Sequence, residues 1–167
     1  MQYAVLTFRC LLGLVFLSAV AGKLRDPAAF RASVADMVPV GPRGVPVVGR
    51  LTILAEICAV VLLAIPQTVP AGFVLAGTVL TGFSAGIARA LRAGARTPCG
   101  CFGATATPLG ARHLVRNAAL LLFAVAGFAL TGAGDAAHPA GIALALTTAA
   151  LLALLVVFFE DIADLFA

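Results

Sequence analysis

The chain has 167 residues, of which 62% are hydrophobic and only 11% charged, with a mean hydropathy of +1.13. A water-soluble domain of that length needs far more charge to cover its surface, so hydrocarbon is the solvent for much of the chain, and there is room for one domain without a separate soluble enzyme. The net charge of +4, from 11 Lys+Arg against 7 Asp+Glu, reports orientation and contact with membrane lipid; no basic face is interleaved with aromatics, which excludes nucleic-acid binding.

Residues 3–22 form the first apolar run. It ends on Ala19, Val20 and Ala21, a pattern like a signal-peptidase site, but no basic residue precedes Arg9 and four more spans follow, so the run reads as a retained span. Asp26 and Pro27 make an N-cap and first-turn pair. Phe30, Val34, Met37 and Val38 follow at helical spacing, which predicts a short amphipathic helix at the membrane interface, stopped by the Pro/Gly-rich residues 39–42. Further apolar runs cover residues 47–65, 71–91, 114–131 and 140–159, each close to the roughly 20 residues that cross a bilayer as helix. The turn at 66–70 is so short that the second and third spans must be antiparallel neighbours. Gly82 and Gly86 form a small-xxx-small pair in the third span, suited to close packing within the monomer or to dimerisation.

The segment from Phe16 to Arg25, ending the first span, is echoed by Phe83 to Arg92, ending the third. Each is followed by a polar loop and an apolar helix with Arg near its start, Arg50 in one case and Arg112 and Arg116 in the other. The pattern predicts two helix-loop-helix halves. The predicted fold is an all-α integral membrane protein: a four-helix transmembrane bundle over residues 1–132, with an additional transmembrane helix and acidic tail over 133–167. Lys23, Arg25, Arg31, Arg43, Arg50, Arg89, Arg92, Arg96, Arg112 and Arg116 all fall on one side, and the other side has no basic loop residue. The positive-inside rule then predicts a multi-pass plasma-membrane protein with its N-terminus out and the loop after the third span in the cytoplasm.

That loop carries the chemistry. Cys99 and Cys101 are separated only by Gly100, which tolerates the backbone angles that closing a small disulfide ring demands. A ring this tight is reduced more easily than a structural disulfide, which favours exchange over stapling. Pro98 and Gly103 fix the turn, Phe102 anchors it at the membrane surface or faces a partner, and Arg96 and Arg112 stabilise a thiolate if they fold close. A metal is the rival reading, with His113 as third ligand; zinc wants four, whereas a two-coordinate Cu(I) needs only the thiolates. The expectation is no metal, and no cofactor beyond the redox-active disulfide, with a quinone as the alternative.

Cys99, Gly100, Cys101, Phe102 and Gly103, followed by Arg116 and Asn117 at the start of the next helix, resemble the methylamine utilisation protein MauE, within a wider MauE/DoxX group of redox-associated membrane proteins. The first-span ending Ser18 to Leu24, the Asp26, Pro27 and Phe30 segment, and Glu56 are similar to that group as well. The resemblance implies a thiol-redox accessory role in which the dithiol of Cys99 and Cys101 exchanges electrons with a thioredoxin-like partner, as in the maturation of methylamine dehydrogenase disulfides. A thiol-disulfide oxidoreductase activity would follow. A non-catalytic scaffold that recruits redox proteins and a quinone-coupled disulfide oxidoreductase are the alternatives; oligomeric state is not legible.

Disulfides of exported proteins form outside, whereas the charge count puts this dithiol inside. Either the orientation is inverted or electrons cross the membrane. For the second case Cys10 and Cys58, both near mid-membrane by residue count, are candidate relay thiols, against their reading as small hydrophobes. Arg9 and Glu56 are costly intramembrane charges and are expected to pair, with proton uptake or a quinone pocket as other uses of Glu56. Arg116 and Asn117 are expected to cap the fourth span and tether it to headgroups or to the acidic tail.

Overall fold

The structure, a computed structural model, describes residues 1–94, 110–132 and 138–159. Among them all regular structure is helical: α1 Gln2–Arg25, α2 Pro27–Met37, α3 Val45–Ala64, a 3-10 turn Pro66–Thr68, α4 Val69–Arg92, α5 Ala111–Ala129 and α6 Pro139–Val157. Prolines stand in the first turn of α2, α3, α4 and α6, where a missing N–H costs nothing and the fixed φ suits the helix. They start each helix where the apolar periodicity alone is ambiguous. The Asp26 carboxylate accepts from the Ala29 N–H at 2.9 Å, so the predicted N-cap of α2 is made.

Among the described residues, five helices are long and apolar enough to cross a membrane: α1, α3, α4 with its preceding turn, α5 and α6. Four of them close a ring, in which α1 and α4 each pack against both α3 and α5 and face one another across the diagonal. Leu11, Leu12, Val15 and Phe16 of α1 meet Leu63, Phe73, Ala76, Leu80, Leu120 and Ala124 in the core. The Phe8 and Phe123 rings pack at 5.2 Å. α6 lies on the outer side of α1. It presents Ala145, Ala149 and Ala153, one small residue per turn, and Gly141 sits directly under the Tyr3 ring, so the two helices approach closely. The Tyr3 hydroxyl accepts from the His138 N–H at 2.9 Å and pins the start of α6 to the start of α1.

The surface is apolar and the interior holds charge. Leu51, Leu54, Ile57 and Val61 on α3, Leu122 and Val125 on α5, and Leu144, Leu151 and Leu155 on α6 all point outward. Lys23, Glu56, His113, Arg116 and Asn117 are buried. A bundle in water would invert that pattern, so this is an integral, multi-pass membrane protein.

α2 does more than lie at an interface. Its predicted apolar face, Phe30, Val34 and Met37, is buried against α3 and α4. Phe30 seats on Gly49 of α3 and Met37 on Gly86 of α4, with 3.4 and 3.2 Å between each side chain and the place a Cβ would take. Gly86 therefore accommodates a helix of the same chain, while Gly82 meets nothing within 4 Å.

Candidate functional site

α1 is staggered along the bundle axis. Lys23 stands only two residues before the end of α1, yet its Nζ lies 5.0 Å from the ring centre of Phe83, about 14 Å of helix before the end of α4. It also reaches Glu56, about 16 Å of helix into α3. The basic ends of α3 and α4 thus run past the end of α1, and α2 fills the notch so formed. Asp26 makes the sharp reversal, and Phe30 comes down over Lys23 at 5.4 Å.

Beneath this cap the Lys23 Nζ donates to Glu56 Oε1 at 2.7 Å, with both side chains 1% exposed. Two charges this deep are tolerable only because they meet in hydrogen-bond geometry. The rings of Phe30 and Phe83 face the ammonium and add cation–π attraction in a buried site. Glu56 Oε2 is buried and has no hydrogen-bond partner among the described residues. It lines a cavity of about 20 Å³ together with Phe16, Phe83, Arg116 and Asn117, above the roughly 10–15 Å³ that one water needs. The echoed segments contribute Phe16 from α1 and Phe83 from α4, one from each side of the ring. The carboxylate thus has one oxygen tied to an ammonium and the other facing a water-sized space.

Two expectations are corrected by this geometry. Glu56 pairs with Lys23 and not with Arg9. The rise from Arg9 to Lys23 along α1 is about 21 Å, so the two arginine and carboxylate groups are far outside ion-pair reach. Counting residues from a common membrane surface misplaced both cations, because α1 does not share the height of its neighbours. Arg116 and Asn117 are not a headgroup tether: both are 5% exposed and face the cavity inside the bundle. Glu160, Asp161 and Asp164, the acids they were expected to reach, lie outside the described residues.

Cys10 and Cys58 are both free thiols; Cys10 is half-buried against the core, and Cys58 is exposed on the outer surface of α3. The structure does not join them. Pro98, Cys99, Gly100, Cys101, Phe102 and Gly103 lie outside the described residues. His113, the third ligand of the metal alternative, is buried near the start of α5, and no cluster of three His, Cys, Asp or Glu suited to a metal occurs among the described residues.

Lys23 is the residue that sequence reasoning passed over, as one more basic residue at a span end. Its signal was present: a lysine still within the helical run of the first span and a single acid inside the second, on consecutive helices.

The region that builds this site is also the region of recognisable kinship. The family model for the methylamine utilisation protein MauE matches residues 1–131. The chain belongs to the MauE family. No curated protein and no solved structure matches it. The MauE match takes in α1 to α5, hence Lys23, Glu56, Arg116 and Asn117 and the segment that carries Cys99 and Cys101, while α6 begins beyond it. The protein is accordingly a membrane protein related to methylamine utilisation.

Proposed function

We propose that this MauE-family protein is a membrane thiol-disulfide exchange factor that works through Cys99 and Cys101 with a thioredoxin-like partner. The observation that carries the reading is positional. The Cys-Gly-Cys sequence falls on the connection from α4 to α5, and the ends of those two helices stand at the end of the bundle where Lys23, Glu56, Arg116 and Asn117 are buried. A thiolate of one cysteine attacks the partner's disulfide and forms a mixed disulfide; the second thiolate displaces the partner sulfur. Two electrons pass to the partner, which leaves as a dithiol, and Cys99 and Cys101 are left joined; the reverse sequence reduces them. The dithiol is itself the redox carrier, so no other cofactor is required.

Arg25, Arg31, Arg43, Arg50, Arg89, Arg92 and Arg112 are exposed at this same end, which by the positive-inside rule favours a cytoplasmic setting at the plasma membrane. The test uses thioredoxin lacking its resolving cysteine as the probe. The wild-type protein in detergent forms a mixed disulfide with it, Cys99→Ser or Cys101→Ser alone alters trapping, and the double serine variant forms none. In cells the double variant fails to support disulfide maturation of the partner's substrate. Maturation at the wild-type level by the double variant overturns the exchange reading in favour of a scaffold that recruits redox proteins.

A further inference from the structure

The stagger that sinks Lys23 lifts Arg9 to the opposite end of the bundle. Arg9 lies in an open cleft of about 620 Å³ whose walls include Pro66, Gln67 and Pro70 of the turn between α3 and α4, and Thr131 just past the end of α5. Turns of polytopic membrane proteins sit at the boundary between hydrocarbon and headgroups, because their unpaired backbone groups need water or headgroup oxygens. A cation level with that turn is therefore interfacial. Among the described residues no hydrogen bond or ion pair to Arg9 occurs and no acid lines the cleft.

We propose that this cleft binds the phosphodiester of an anionic phospholipid, with the Arg9 guanidinium as its charged contact. A planar fork of donors suits two phosphate oxygens at once. Gln2 and Gln67 add neutral amide donors on either side, the mixture that an ester-rich headgroup requires. Leu6 and Ile142 line the same cleft, so an acyl chain leaving the phosphate finds an apolar path between α1 and α6. A free phosphate ester would use the charged contact but would leave that apolar path in water. α6, which lies beyond the matched family region, supplies one wall. The site is separate from the Lys23 and Glu56 cluster and does not depend on the exchange chemistry.

Native mass spectrometry of the full chain, released from detergent with dioleoyl phosphatidylglycerol, dioleoyl phosphatidylcholine or glycerol 3-phosphate, tests the proposal. One phosphatidylglycerol per chain is expected to survive activation, with apparent affinity at least about tenfold above phosphatidylcholine, and glycerol 3-phosphate is expected neither to bind nor to displace it. Arg9→Gln is expected to lose about tenfold or more in that affinity, with Arg9→Lys intermediate. Arg50→Gln, at the exposed basic end, is expected to stay within about twofold of wild type. Retention of the lipid by Arg9→Gln, an equal loss in Arg50→Gln, or tight binding of glycerol 3-phosphate alone overturns it. If Arg9→Gln does not yield folded protein, Thr131→Phe narrows the cleft while leaving the cation, and unchanged lipid retention in that variant likewise overturns the proposal.

Discussion

The Nζ of Lys23 lies 2.7 Å from Oε1 of Glu56, with both side chains 1% exposed, and this contact joins the end of α1 to the middle of α3. Removing either partner leaves the other charged group buried and alone. Lys23→Met or Glu56→Leu is expected to destabilise by about 3–5 kcal/mol, and the double variant to recover most of that loss. Thermal unfolding in a fixed detergent, read by helical circular dichroism, checks it. Additive losses in the double variant would show that the pair is not the stabilising unit.

The two rings over Lys23 make a separable contribution. Phe83→Leu keeps the apolar volume and is expected to cost about 1–2 kcal/mol while Lys23 is present. In a Lys23→Met, Glu56→Leu background the same change should cost markedly less. A double-mutant cycle measures the difference, and a zero coupling energy would leave Phe83 as packing alone.

Helix spacing gives a contrast between two glycines. A Cβ at Gly127 of α5 would run into the Phe73 ring of α4, whereas one at Gly82 meets nothing within 4 Å. Gly127→Ala is expected to destabilise by about 1–3 kcal/mol through overpacking, and Gly82→Ala to be neutral or slightly stabilising through helix propensity. Their order of unfolding temperature in one detergent is the check.

Asp26 holds the reversal that places Phe30 over the ion pair. Asp26→Ala removes the cap on the Ala29 N–H and is expected to cost about 1 kcal/mol. The loss should be local. Amide exchange should quicken in α2 and leave the α1 core around Leu11 and Leu12 unchanged; uniform acceleration would mean that the cap supports the whole bundle.

Cys58 faces outward and Cys10 lies half-buried against the core. The double variant Cys10→Ala, Cys58→Ala is therefore expected to form the mixed disulfide with the thioredoxin probe at the wild-type rate. A severalfold slower rate would restore the relay that their similar depth in sequence suggested.

The membrane class, the five spans and the short α2 were legible because they rest on local chemistry. Twenty-residue apolar runs, an Asp-Pro helix start and the period of Phe30, Val34 and Met37 each report the solvent or face of their own segment. The pairing of charges was not. Arg9 looked like the partner of Glu56 because both interrupt apolar runs, and Lys23 looked like an interfacial residue because it ends one. Which cation meets the carboxylate depends on how far α1 slides along α3 and α4, and apolar side chains on a uniform stripe specify that height only weakly.

By itself, then, the sequence determined that this chain lives in a bilayer as helices, with a dithiol segment joining two of them, since apolar length and cysteine spacing are properties of short stretches. The tertiary structure alone decided that Lys23 descends to Glu56 under Phe30 and Phe83 while Arg9 rises to the α3 to α4 turn. The reason is electrostatic. Burying one charge in a low-dielectric interior is so costly that the helices settle at the stagger where opposite charges meet.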